Sequence, residues 1–278
     1  MLSIKTWIKR NFSEWIYYRN KTPDRKSEME NWLNELCRRQ ISKLSDSSYN
    51  NFTYHGEDGI LLYLLRQIKD VPNIFVDIGS GDCIKSNCAN LAVHYGWDGV
   101  FIDKNDKQID IGKRFYHTMI IRGRNIRFLE QMIIPENVNN LLENAGLGGE
   151  IGLLSIDVDG NDYWIWEAIK VIKPRIVVIE AKVEFGTRNV IVPYGDHNHY
   201  SVDKMYNGAS VEAIRRLGLA KGYKLIGANK QGYNLFFVKI EENIKPASTE
   251  DVLSDTETIK SFYPEFFFTE HKFSIVNN

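Results

Sequence analysis

The stretch Phe75-Val-Asp-Ile-Gly-Ser-Gly-Asp-Cys83 decides the fold. An apolar run rich in β-branched and aromatic residues carries an acid, Asp77, near its end and then turns at Gly79 and Gly81. Such a run reads as a buried strand, here Asn73 to Ile78. Ser86 to Tyr95 behind it reads as a helix, with Ser86 as the N-cap. In open α/β sheets, ligands sit beyond the carboxyl ends of the strands. Glycines there let the backbone approach a ligand closely and take positive φ.

The same alternation continues outward on both sides. Gly99 to Ile102, Thr118 to Ile121, Ile151 to Ile156 and Arg175 to Ile179 read as strands. Glu57 to Ile68, Asp106 to His117, Pro135 to Leu142 and Tyr163 to Ile172 read as helices, with Pro135 in a first turn. Alternating strands and helices predict an α/β fold with a doubly wound, mostly parallel, Rossmann-like sheet. A long loop from Lys182 to Gly208 and a helix from Ala209 to Lys221 follow. Strands at Tyr223 to Ile226 and Asn234 to Val238 then predict an antiparallel hairpin at the C-terminal edge. The chain divides into an N-terminal helical extension (1–50, with a helix from Glu28 to Lys43 and a Ser/Asn-rich loop at 45–51), a central domain (51–240), and a polar linker and aromatic tail (241–278) that packs on the body.

Composition narrows the function classes. With 278 residues and 43% hydrophobic content the chain has room for one sizeable core. Lys plus Arg (35) and Asp plus Glu (36) nearly cancel, which argues against nucleic acid as partner. Cys37, Cys83 and Cys88 form no CxxC pair, as expected of a reducing, cytoplasmic setting. No apolar run approaches the roughly 20 residues of a membrane span. The first twenty residues place Trp7, Ile8, Phe12, Trp15 and Ile16 at helical spacing among Lys5, Lys9, Arg10 and Arg19. A basic amphipathic helix of this kind suits the surface of an anionic membrane. Amphipathic helices more often serve packing, here against its own domain or a second subunit of a homo-oligomer.

The glycine turn resembles the dinucleotide fingerprint GxGxxG, but Ile84 stands at the third glycine position. A pyrophosphate at a helix N-terminus favours that third glycine; a nucleoside without phosphates does not need it. The next strand ends in Asp103, placed to hydrogen-bond ribose hydroxyls. Asp77 then suits the amino-acid end of a cofactor cationic at sulfur and amine, for which acidic lining is favourable. The rival reading is an NAD-dependent sugar oxidoreductase, and a second rival is a non-catalytic cofactor-binding scaffold.

On these residues the chain resembles the FkbM-like branch of the S-adenosylmethionine-dependent methyltransferases. The matching pieces are Gly56-Glu-Asp-Gly59, the Phe75 to Gly81 motif, Ser86-Asn87, Gly96-Trp-Asp-Gly99, Ser155-Ile-Asp-Val-Asp-Gly-Asn-Asp162, the strand Pro174 to Glu180 and the ending Gly222-Tyr223 to Phe237. They cover residues 52–240. The resemblance implies a methyl-transfer enzyme with S-adenosylmethionine held around Asp77, Gly79, Ser80, Gly81, Ser86, Asn87 and Asp103. It adds Asp157 from the fourth strand, and His55 and Asp58 where an N-terminal helix covers the cofactor. Two positions depart from the pattern. Cys83 stands where a glycine or small residue is usual, and Asp159 where relatives often carry Glu.

A second candidate site follows the fourth strand. Residues i and i+2 of an extended chain point the same way, so Asp157 and Asp159 should converge, with Glu180 on the neighbouring strand end. Carboxylates at adjacent strand ends suit a hard divalent cation such as Mg²⁺, which could orient a sugar diol. Alternatively one carboxylate acts as general base, its proton affinity raised by its neighbours. Asp162 is also expected to cap the following helix. In the long loop, His197 and His199 are candidate bases or saccharide ligands, and Tyr194 and Tyr200 candidate stacking platforms. An oxygen nucleophile needs a base, so the acids favour O-methylation of a saccharide hydroxyl in a glycan, glycolipid or glycosylated small molecule.

Overall fold

The computed structural model describes residues 25–39, 41–118, 125–195, 206–256, 263–265, 268 and 272–275. A helix α1 (25–36) and a 3₁₀ turn at Leu44–Ser47 precede α2 (Glu57–Gln67). Then come β1 (Ile74–Ile78), α3 (Ala89–His94), β2 (Asp98–Asp103), α4 (Asp106–Thr118) and β3 (Ile126–Glu130). They are followed by α5 (Val138–Asn144), β4 (Gly149–Ile156), α6 (Asp162–Ala168) and β5 (Ile172–Glu180). After a short β6 (Val190–Ile191) come α7 (Val211–Ala220), β7 (Tyr223–Ala228), β8 (Asn234–Lys239), α8 (Thr249–Asp255) and β9 (Ser274–Ile275).

Seven strands form one sheet in the order β3-β2-β1-β4-β5-β8-β7. Strands β1 to β5 run parallel, and β8 lies antiparallel to both β5 and β7. The chain winds outward from β1 through β2 to β3, returns, and winds the other way through β4 and β5. The reversal between β1 and β4 is the switch point where such sheets bind ligands. Ile78 is level with Ile102 on one side and Ile156 on the other, so three strands end together.

Alternation assigns the two faces. Val76 and Ile78 pack with α5, α6 and α7; Phe75 packs with α2, α3 and α4. All three are fully buried, as expected of a parallel sheet covered on both sides.

Several sequence expectations shift. The third strand is β3 at Ile126–Glu130, not Thr118 to Ile121: Thr118 closes α4, and 119–121 lie outside the described residues. Two short apolar runs lie close together there, and periodicity cannot choose between them. Pairing does, since Gly99 to Asp103 of β2 register with Ile126 to Glu130. The helix after β1 starts at Ala89, with Cys88 rather than Ser86 at its N-cap. The helix expected from Pro135 starts at Val138, and the one expected through Lys43 ends at residue 36. The polar linker contains α8, opened by a Ser248 and Asp251 capping box.

The loop after β5 is built upon by the tail. β6 pairs with β9, and Phe185 meets Tyr263, Phe268 and Phe273 edge-on. The amphipathic first twenty residues lie outside the described residues. Among the described residues, no helix is long and apolar enough to cross a membrane.

Candidate functional site

The glycine turn lies against the exit of β4. Gly79 has φ +83°, and a Cβ on it would lie 1.7 Å from the carbonyl oxygen of Asp157. Only glycine fits that position. The Gly79 and Ser80 amides donate to the Ile102 carbonyl at 2.8 and 3.1 Å, which fixes the turn across to β2. The Gly81 amide donates to Asp103 Oδ2 at 2.9 Å, and Asn105 donates to its Oδ1 at 2.8 Å. Asp103 is thereby clamped at the end of β2, facing a cavity of about 540 Å³. Gly79, Gly81 and Lys104 share its wall, with Gln131 to Ile133 after β3 and Asp157 to Asn161 after β4. Val192, Pro193 and Tyr206 to Gly208 complete it.

Cys83 takes φ +60°, a conformation that favours glycine. Its side chain is accommodated because α4 presents Gly112, where a Cβ would lie 2.7 Å from the Cys83 Sγ. Tyr116 donates to the Cys83 carbonyl at 3.0 Å. A left-handed conformation with a side chain is thus retained by close packing from α4.

A second, smaller cavity of about 230 Å³ adjoins the first, and Gly79 and Asp157 line both. Asp77 is buried in its floor and accepts from the Ser86 hydroxyl, which in turn accepts from the Cys88 amide at 3.0 Å. Burial pushes the Asp77 carboxyl up to about 6. Asn87 donates to the Ser155 hydroxyl at 3.1 Å and ties the loop to β4. Ser80 is buried beside Cys83, and His55 stands at the rim near the Tyr233 ring.

The acidic cluster differs in membership from the sequence expectation. The carboxylates that converge within 4.8 Å of one another are Asp157, Asp162 and Glu180; Asp159 is not among them. Asp159 takes φ +58°, so the chain is no longer extended and the i, i+2 rule fails there. Asp162 accepts from the Val158 amide at 2.9 Å and the Gly160 amide at 3.0 Å, so it clamps the preceding turn, while Asn161 is the N-cap of α6. Asp157 opens onto both cavities. Asp157 itself is exposed where it opens onto the cavities; desolvation by the surrounding protein atoms, then the charges of Glu180, Asp162, Asp159 and Asp77, raise its carboxyl above the usual range. Burial and Glu180 push Asp162 up to about 7. Glu180 is raised by burial, against the pull of Lys182, whose ammonium lies 3.2 Å away.

One cofactor candidate moves away from the site. Asp58 lines neither cavity. Its Oδ2 accepts from the amides of Asn51, Phe52 and Thr53 and from the Thr53 hydroxyl, at 2.7 to 2.9 Å. It holds the turn that leads into α2. His197, His199 and Tyr200 lie outside the described residues. Tyr194 is described: its hydroxyl donates to Glu136 at 2.6 Å, and its ring lies 6.2 Å from Trp164. Lys182, Glu57 and Asn234 were not foreseen as site residues. The last two meet across 177 positions, and no local signal marks that contact.

No protein-family model matches the chain, and no curated protein matches it in sequence. Among solved structures it is similar to the magnesium protoporphyrin IX methyltransferase ChlM from Synechocystis PCC 6803 with bound SAH (TM-score 0.43, 13% identity, 66% of this chain and 81% of that one). It is also similar to an O-methyltransferase family protein from Burkholderia thailandensis (0.41, 14%, 66% and 59%) and to TehB from Haemophilus influenzae (0.39, 12%, 65% and 62%). This likeness is one of fold and carries no argument about substrate.

Proposed function

We propose that the chain is an S-adenosylmethionine-dependent O-methyltransferase of the FkbM-like kind, acting on a saccharide hydroxyl. The observation that carries the reading is a single cavity wall. Asp103, clamped by the glycine turn, faces the same 540 Å³ space as Asp157, whose carboxyl is raised. One acid is placed to hold a ribose and the other to take a proton.

The residues fit a nucleoside without phosphates. Amides that would cradle a pyrophosphate are already used: Ile84 and Lys85 donate to Asp82 Oδ1 at 3.0 and 2.9 Å. The next helix starts only at Ala89, so no helix N-terminus abuts the glycines. Both features weigh against NAD. Asp103 would hold the ribose hydroxyls, Met132 and Ile133 would offer apolar wall to a purine, and Asp77 would face the amino-acid end. When bound, S-adenosylmethionine supplies an electrophilic methyl on a cationic sulfur, and the surrounding acids favour that charge.

Asp157 acts as general base. A carboxylate with raised proton affinity is matched to removing a hydroxyl proton near neutral pH. The saccharide reading draws on the half-exposed Tyr194 beside Trp164, a platform for a sugar face at the loop whose Val192 and Pro193 line the cavity. A divalent cation such as Mg²⁺ is the second reading, favoured by the convergence of Asp157, Asp162 and Glu180. Those three residues would hold it, and it would orient a sugar diol.

The test is methyl transfer from labelled S-adenosylmethionine to sugar nucleotides and glycans, with and without chelator, alongside thermal shift with S-adenosylhomocysteine and NAD(H). Transfer to a hydroxyl that survives chelation supports Asp157 acting alone. Transfer lost on chelation and restored by Mg²⁺ selects the second reading. Stabilisation by NAD(H) alone overturns the proposal.

A further inference from the structure

One wall of the 540 Å³ cavity is made of two short segments, Val192 and Pro193 leaving β6 and Tyr206 to Gly208 ahead of α7. The segments are bonded to each other. The Val192 amide donates to the Gly208 carbonyl at 3.0 Å, and the Ser210 amide to the Val190 carbonyl at 3.0 Å. A two-residue strand with a single neighbour is marginal by itself. The C-terminal tail supplies the other neighbour: Val190 and Ile191 register antiparallel with Ile275 and Ser274 of β9. The tail holds the second segment as well. The Tyr206 hydroxyl donates to the Lys272 carbonyl, and the Tyr206 ring meets Phe273 edge-on at 5.1 Å. Tyr206 lines the cavity and is yet only 2% exposed, because its other contacts are with the tail. Residues 272–275 thus reach both halves of one cavity wall.

That wall stands on the side of the cavity that carries the acids. A Cβ on Gly160 would lie 3.3 Å from the Asn207 Cβ, so the second segment abuts the turn that follows Asp157. A Cβ on Gly208 would lie 3.2 Å from Cγ of Lys182, the lysine paired with Glu180. The smaller cavity, by contrast, is lined by neither segment. We propose that the C-terminal tail belongs to the acceptor site: residues 272–275 act through Tyr206 and β6 to set where the sugar lies against Asp157. Tyr206 and Phe273 are then positioning residues. The proposal rests on the reading of a saccharide as acceptor and of Asp157 as its base. Its physical reason is distance. Methyl transfer needs the acceptor oxygen in near-attack range, and a misplacement on the order of 1 Å costs about 10²-fold.

Substitutions in the full chain test it. Tyr206→Phe removes the bond to Lys272 and keeps the ring. Phe273→Ala removes the ring on the tail side, and Phe273→Leu returns most of its volume. Hydrogen exchange at the Val192 and Ser210 amides reads the wall without any ligand. It should quicken about fivefold in Tyr206→Phe and Phe273→Ala, the scale of one lost hydrogen bond. The Gly81 amide, bonded to Asp103, should exchange as before. With the best sugar acceptor of the transfer screen, kcat/KM should fall about 10- to 100-fold in Phe273→Ala, with acceptor KM raised, and recover in Phe273→Leu. Affinity for S-adenosylhomocysteine, measured by calorimetry, should stay as in wild type. An acceptor KM unchanged in both Tyr206→Phe and Phe273→Ala overturns the proposal and leaves the tail a brace. So does an equal weakening of acceptor and S-adenosylhomocysteine, the mark of a general loss of folding. A wild type that binds S-adenosylhomocysteine but methylates no sugar overturns the saccharide reading, and the proposal with it.

Discussion

The two halves of the sheet's carboxyl edge treat a carboxylate in opposite ways. At the end of β2, Asp103 is answered by backbone donors, the Gly81 amide at 2.9 Å and the Asn105 amide at 2.8 Å. At the ends of β4 and β5, Asp157 meets other carboxylates, those of Asp162 and Glu180. Donors fix a charge in place and make it a binding element. Like charges make a proton harder to lose and turn the group into a reactive one. On the proposed function, one edge carries a cofactor half and a chemical half, divided at Gly79 where the two strand exits touch.

The largest effect should come from Asp157→Asn. The amide keeps the shape and cannot take a proton, so turnover should fall about 10²- to 10⁴-fold. Single-turnover methyl transfer measures the loss, and calorimetry with S-adenosylhomocysteine should show affinity nearly unchanged. Collapse of both would place Asp157 in the cofactor half and erase the division.

Asp58 supplies the next effect, on folding. It belongs to the donor-answered type, with three amides and a hydroxyl on one oxygen, yet it faces no cavity. Asp58→Ala leaves those buried donors unpaired and should cost about 2 to 4 kcal/mol in urea unfolding. Asp58→Asn keeps an acceptor oxygen and should cost less. Burial pushes this carboxyl up to about 6 from 3.8, so the folded chain holds its proton more tightly than the unfolded one. Its contribution to stability is greatest below pH 4 and declines as pH rises through 6. Asp58→Asn should flatten that decline, and equal unfolding midpoints at pH 4 and 7 in wild type would refute the shift.

What was legible in the sequence follows the same division. Asp103 and the glycines could be read because a strand, a turn and an acid at the next strand end are local features whose roles follow from sheet topology. The chemical half was harder. Asp157 and Glu180 were visible as strand-end acids, but Asp162 takes the place expected of Asp159, since the backbone turns left-handed at Asp159. Ser86 was expected to cap a helix and instead donates to Asp77 nine residues back. The resemblance places Asp58 at the cofactor, and its partners at 51–53 give it a turn-holding role that spacing alone does not disclose. Glu57 and Asn234 needed the fold to bring α2 to β8.

A smaller effect probes the cofactor half. Asp103→Ala should weaken S-adenosylhomocysteine about 10- to 100-fold, the loss of one or two hydrogen bonds between ribose hydroxyls and a charged group. Free adenine, which lacks the ribose, should bind as before. If adenine weakens equally, Asp103 acts by shaping the glycine turn through Gly81 and not by touching the ribose.

The smallest change is a displacement of the pH profile, and it separates the two halves most finely. A general base works only when deprotonated, so activity should rise with pH through the range in which Asp157 gives up its proton. Desolvation by the surrounding protein atoms holds that range above the ordinary carboxylate one, and Glu180 is the largest single charge doing the same. Glu180→Gln removes that charge at nearly constant size, so the acid limb should move to lower pH. Asp103→Asn removes a charge from the other half of the edge, where donors had already answered it, and should leave the limb in place. The measurement is kcat against pH for wild type and both variants with one sugar acceptor. Equal displacement by both would mean that Asp157 senses the net charge of the whole edge. Displacement by Glu180→Gln alone would mean that its proton affinity is set by the crowd at β4 and β5.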